Sequence, residues 1–209
     1  MTKPTRRQEN KLFRQGYSLI AGADEAGRGA WAGPLVAAAV ILPRRFSLKG
    51  INDSKKLTAR QREKMYAVIT RLAVDWKATA ISCREIDLAG VGRANSKALA
   101  QSIKGLKIKP EAALVDSFKI STLSIPCHHI TKGDAKVTCI AAASILAKVT
   151  RDRLMISLHK KYPRYSFHSH KGYGTAVHRK KILKYGLSPQ HRRSFEPMKS
   201  GFPRVMPAD

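Results

Sequence analysis

Asp24 and Glu25 follow the apolar run 19–23, Asp116 closes the apolar run 112–115, and Asp134 stands in Lys132-Gly133-Asp134 just ahead of a long apolar segment. Acids at these places stand out because the 209-residue chain carries 40 Lys+Arg against 14 Asp+Glu, a net charge of +26. That balance points to a polyanionic partner, nucleic acid ahead of an acidic membrane surface. Carboxylates beside a bound phosphate repel it unless divalent cations invert the local sign. Two cations shared by such carboxylates clamp a phosphodiester and activate water for in-line attack, and Mg²⁺ or Mn²⁺ suits an all-oxygen ligand set. Each acid taken singly also fits a turn or a cap, and Asp134 stands where a cap for the following helix would. Neighbours on a regular strand point to opposite faces. Asp24 and Glu25 therefore share a site only if the strand ends or bulges there, as Gly27 and Gly29 would permit.

The elements that must position these acids follow from hydrophobic periodicity. Residues 19–23 read as a short buried strand, and 35–42, almost wholly apolar, as a central one. Thr58 and Gln61 form a capping box ahead of Met65, Val68, Ile69 and Leu72 at helical spacing. Residues 76–82 predict a third strand, and Leu99, Ile103 and Leu106 a helix capped by Asn95. Residues 112–115 predict a strand ending on Asp116. Residues 137–160 predict a helix apolar on nearly every face, hence buried. A loop over 168–175 leads to a last helix capped by Thr175 and stopped by Gly186 and Pro189. The sum is an α/β domain.

Other chemistries are disfavoured. Gly22 to Gly27 has phosphate-loop glycine spacing, but Arg28-Gly29 replaces the required Lys-Ser/Thr. Three cysteines (Cys83, Cys127 and Cys139) without a C-x-x-C pair predict no disulfide framework, and Cys127-His128-His129 with Cys139 matches no trusted zinc spacing. Asp152, between Arg151 and Arg153, reads as a surface ion pair. The uncharged stretch around Gly33-Pro34 is too short for a transmembrane helix, which needs roughly 20 apolar residues. No signal segment is recognised, so a cytoplasmic location is expected.

The string Gly22-Ala23-Asp24-Glu25-Ala26-Gly27-Arg28-Gly29 resembles the signature of ribonuclease HII. The resemblance continues through residues 52–57, 114–118, 132–136, 142–152, 170–175 and 191–195, covering 17–196. Ala30-Trp31 departs from it, standing where a proline and a smaller or aliphatic residue are expected. The resemblance implies a ribonuclease H-like fold, a mixed central β-sheet flanked by helices with a helical C-terminal extension. It implies a basic tail over 1–16, a catalytic domain over 17–196 and a C-terminal tail over 197–209.

It further implies that Asp24, Glu25 and Asp116 hold two metal ions, with Asp134 as fourth catalytic acid. It implies cleavage of the RNA strand of RNA–DNA hybrids, and of duplex DNA on the 5′ side of an embedded ribonucleotide, by a monomer acting in ribonucleotide excision. Gly27 and Gly29 would let the backbone approach a sugar and test for a 2′-hydroxyl, with Arg28 adding a cation. Tyr173, between two glycines, would stack on the neighbouring sugar or base. Lys55, Lys56, Lys171 and His170 are candidate phosphate contacts. A non-enzymatic nucleic-acid binder explains the charge and leaves the acids without purpose. A junction resolvase would share fold and acids but not the Gly27-Arg28-Gly29 and Tyr173 context.

Overall fold

A computed structural model describes residues 3–46, 51, 54, 57–118, 120 and 122–201. Strand β1 (Ile20–Ala26) pairs antiparallel with β2 (Leu35–Ile41), which pairs antiparallel with β3 (Asp75–Ile81). On its other side β1 pairs parallel with β4 (Ala112–Asp116), and β4 parallel with β5 (Cys127–Ile130). The strand order is β3-β2-β1-β4-β5. Every residue of β2 is buried, the expected state of an unalternated apolar strand covered on both faces.

One face of the sheet carries Ile20, Ala38, Val40 and Leu114 against α6 (Thr138–Lys161). The other carries Leu35, Ala37, Ala39, Ile41 and Val115 against the buried residues of α3 (Cys83–Ala89) and α4 (Val91–Lys104). The small residues of β1 and β2 let α6 lie close. A Cβ at Gly22 would overlap the backbone carbonyl of Cys139 in the first turn of α6. That approach brings the helix up to the acids at the end of β1.

Local capping signals account for three helix starts among the described residues. Thr58 and Gln61 form both halves of the capping box that opens α2 (Ala59–Leu72). The Thr175 hydroxyl accepts from the His178 amide at 3.2 Å at the start of α8 (Ala176–Tyr185), and Gly186 at φ 71° ends it. Ser82 and Glu85 make a second capping box that starts α3, a helix not expected from periodicity because it is short. Asn95 is not a cap but a fully buried residue inside α4.

Two further differences concern the ends and the edge. Residues expected as a loose basic tail include α1 (Arg7–Arg14), whose Leu12 and Phe13 enter the α6-side core. Basic neighbours mask this two-residue apolar anchor in the sequence. Glu9 of α1 accepts the Cys139 amide at 3.1 Å, and the Thr5 amide donates to the Lys136 carbonyl at 3.0 Å. Strand β5, only half-buried and four residues long, has no apolar run to announce it. The C-terminal extension is helical as expected, with one turn α7 (Phe167–His170) ahead of α8. Order continues past residue 196, because Met198 is buried against Ile182. Among the described residues, no helix is long and apolar enough to cross a membrane.

Candidate active site

In parallel register, Ala23 of β1 lies beside Val115 of β4. One step further, Asp24 and Asp116 leave adjacent strands toward the same face. Asp116 ends its strand because Ser117 turns the chain with a left-handed φ of 49°. The Ser117 hydroxyl and the Gly133 amide both donate to Asp116 Oδ1, at 3.1 and 2.7 Å. Lys132, also left-handed at φ 56°, swings α5 (Gly133–Lys136) over the strand end and delivers Asp134. Carboxylate oxygens of Asp24, Asp116 and Asp134 come within 4.8 Å of one another.

Asp24 is buried, and its carboxyl is held well above the usual carboxylate range. Burial is the main cause, followed by the charges of Glu25 and Asp116, partly offset by hydrogen bonds from Ser144 and the Glu25 amide. The backbone at Glu25 differs from expectation. The β1–β2 pairing runs unbroken through Glu25 and Ala26, so the strand neither ends nor bulges, and Glu25 takes the opposite pleat. Its Oε1 lies 3.3 Å from Arg28 Nη1. Glu25 lines the same cavity and its charge acts on Asp24, while Asp134 joins Asp24 and Asp116 in the set of oxygens within 4.8 Å of one another.

The cavity, about 290 Å³, opens between the acids and the turn after β1. Gly27, Arg28, Gly29 and Tyr173 all line it, as do Ser54, Ser144 and Lys148. Gly27 also has a steric reason to be glycine. Its φ is +89°, and a Cβ there would overlap the Arg151 side chain. Gly29 has open space where its Cβ would lie, so this part of the turn presents bare backbone.

The Tyr173 ring has Lys148 Nζ at 5.6 Å and the Arg151 guanidinium carbon at 5.2 Å from its centroid. Gly174 leaves room for the Trp31 ring. The departure at Ala30-Trp31 is therefore absorbed by packing between the two loops.

One candidate phosphate contact is placed elsewhere. His170 is buried, its Nε2 donating to the Tyr165 carbonyl at 2.8 Å while its Nδ1 accepts the Gly172 amide at 3.2 Å. No phosphate can reach those nitrogens. Lys171 is half-buried, its Nζ donating to the His168 carbonyl within the field of Lys148 and Arg151. Lys55 and Lys56 lie outside the described residues.

Lys148 is the site residue that sequence reasoning missed. It stands at four-residue spacing between Ser144 and Asp152 on α6, and its ammonium meets Asp152 at 2.8 Å. Reading α6 by faces would have found it. Asp152 accordingly pairs with Lys148, with Arg62 at 3.9 Å, and not with its sequence neighbours. The Cys127, His128, His129 and Cys139 grouping does not converge: among the described residues only the acid trio forms a metal-capable cluster.

A mixed five-stranded sheet flanked by helices, with acids gathered where β1, β4 and α5 meet, defines a nuclease of the ribonuclease H-like class. The sequence profile described as Ribonuclease HII matches residues 21–198. The chain is 49% identical over 191 residues to a ribonuclease HII of Acidothermus cellulolyticus, covering 90% of this chain and 62% of that protein. It is also 49% identical to one of Acetivibrio thermocellus, covering 90% of this chain and 73% of the relative. The crystal structure of the ribonuclease H2 from Pyrococcus horikoshii OT3 superposes with a TM-score of 0.75 at 30% identity, over 87% of this chain and 95% of that one. The chain belongs to the ribonuclease HII family.

Proposed function

We propose that this chain is a divalent-metal-dependent endoribonuclease that cuts the RNA strand of RNA–DNA hybrids. It also incises duplex DNA on the 5′ side of a single embedded ribonucleotide, leaving a 3′-hydroxyl and a 5′-phosphate. The observation that carries this reading is the convergence of Asp24, Asp116 and Asp134 beside an open glycine turn and an aromatic, in a chain of net charge +26.

The donors fit the metal. All are oxygens, they converge within 4.8 Å, and burial, with the charges of Glu25 and Asp116 added, keeps Asp24 reluctant to ionise, a cost that a cation relieves. Asp24, Glu25 and Asp116 would hold two Mg²⁺ or Mn²⁺ ions, with Asp134, which lies within 4.8 Å of Asp24 and Asp116, as the fourth catalytic acid. Bound there, the ions would supply a more acidic water and charge neutralisation for in-line attack on the phosphodiester.

The chain's own residues do the rest. Ser117 and Gly133 fix one oxygen of Asp116, so that carboxylate is aimed before substrate arrives. Arg28, half-exposed at the rim, and Lys148 inside present cations to the backbone phosphates. Bare backbone at Gly29 can approach a ribose 2′-hydroxyl, which DNA lacks. Tyr173 rests on the adjoining deoxyribose, so the pair reads an RNA-to-DNA junction without touching a base edge.

The test is cleavage of a labelled duplex with one ribonucleotide, and of a uniform RNA–DNA hybrid, in Mg²⁺ or Mn²⁺ and in chelator. Both should be cut, the first on the 5′ side of the ribonucleotide, and chelator should stop both. Tyr173→Ala should slow the single-ribonucleotide cut at least about tenfold, the equivalent of a lost stacking contact, and the hybrid less. An intact duplex in both metals overturns the proposal.

A further inference from the structure

Two guanidinium groups, Arg151 and Arg192, are fully buried. Their donors go to carbonyl oxygens. Arg151 reaches Pro34 and Lys171 at 2.9 Å and Ala32 at 3.2 Å. Arg192 donates from Nη1 to the Arg28 carbonyl at 2.9 Å, and from Nε and Nη2 to the Gly33 carbonyl at 3.1 and 2.9 Å. Its burial, with Arg151 close by, lowers its pKa to about 10, so it stays a cation at neutral pH despite the cost. A buried charge retained at such cost asks for a reason.

The turn after β1 supplies one. Its own closing hydrogen bond, Ala30 amide to Gly27 carbonyl, is long at 3.3 Å. Bare space at Gly29 leaves the outer side of the turn without packing of its own. The carbonyl at its centre, Arg28, is held by a residue 164 positions away in sequence. The strip carrying that residue is itself fastened beside the turn. The Arg192 amide donates to Trp31, the Gly33 amide to Gln190, both at 2.8 Å, and Ala32 bridges His191.

We infer that Arg192 is a positioning residue which sets the Gly27–Gly29 turn at the distance from the acid trio at which a ribose is read. This rests on the function proposed above. A planar fork suits the task because three donors meet two carbonyls at fixed angles, which an ammonium on a flexible stem cannot reproduce. Sites set loosely by a fraction of an ångström lose rate before they lose binding.

Arg192→Lys keeps the charge and removes the fork. With a single embedded ribonucleotide only one register brings a 2′-hydroxyl to the turn, whereas a uniform hybrid offers one in every register. The variant should therefore lose at least about tenfold in kcat on the single-ribonucleotide duplex. It should lose distinctly less on the hybrid, with KM and the Mg²⁺ midpoint unchanged, because the acids sit on other elements. A merely structural lesion lowers the melting temperature and scales both substrates alike.

Arg192→Gln, which can still reach Gly33 but is too short for Arg28, should give the same split and serves if the lysine variant does not fold. Equal losses on both substrates, or wild-type rates, overturn the inference while leaving the proposed function standing. A wild type that cuts neither substrate overturns the reading of the site itself, and this inference with it.

Discussion

Asp116 shows how one side chain is committed in advance. One of its oxygens already accepts from Ser117 and Gly133. Asparagine can keep that oxygen's bonds and lose only the charge. Asp116→Asn should reduce cleavage by more than about 100-fold, beyond what loss of an outer hydrogen-bond partner to a metal ligand costs. Duplex binding, supplied mainly by the basic surface, should stay near wild type. In the metal-free protein the melting temperature should rise, because Asp116 is one of the charges that make Asp24 costly to ionise. Melting scans in chelator and cleavage assays in Mg²⁺ check both parts, and near-normal cleavage excludes Asp116 as an essential ligand.

Between elements, the decisive contact is β1 against α6. Gly22 lies two residues before Asp24, and a methyl there would meet the Cys139 backbone, which has no flexible end to move aside. Gly22→Ala should cost about 1–3 kcal/mol or more by overpacking. At this chain length that is a fall in melting temperature of roughly 2–4 °C per kcal/mol. It should also raise the Mg²⁺ concentration needed for half-maximal cleavage, because the strand carrying Asp24 shifts against the segment carrying Asp134. Gly29→Ala is the control for melting temperature alone, since nothing in the protein meets its Cβ. Equal melting temperatures for Gly22→Ala and wild type would show that α6 yields easily.

Across the whole molecule, a buried histidine network joins the C-terminal strip to the site loop. The Ser188 amide donates to His191 Nδ1 at 2.9 Å, so His191 carries its proton on Nε2 and donates to His178 Nε2 at 3.1 Å. His178 then donates from Nδ1 to the Tyr173 carbonyl at 3.0 Å. This chain needs both rings neutral. Burial above all lowers His178 to about 3 and His191 to about 4. The sign follows: their stability contribution is complete above pH 6.5 and is lost progressively as pH falls toward those values, several kcal/mol in order of magnitude.

Asp24, raised by burial, works the other way, destabilising the metal-free fold as pH rises through its elevated pKa. Melting temperature should therefore fall below pH 6.5, and more steeply in Asp24→Asn, where the opposing group is gone. A flat profile in both would mean the histidines are not held neutral.

Much of this was legible locally. Unalternated apolar runs located β1, β2, β4 and α6, and capping residues located α2 and α8, because burial period and cap chemistry are written in neighbouring residues. Acids at the ends of apolar runs, in a chain this basic, already indicated metal-assisted phosphodiester chemistry. Tertiary structure decided which acids meet. Glu25 keeps its strand pairing with β2 and still lines the cleft beside Asp24, and Asp134 is brought in by a left-handed turn at Lys132. It decided that Gly27 makes room for Arg151, and that Leu12 and Phe13 anchor an apparent tail. It also decided that Arg151 and Arg192 lie in the interior. Their carbonyl partners come from distant segments, and a cation satisfied in that way leaves no pattern in the residues beside it.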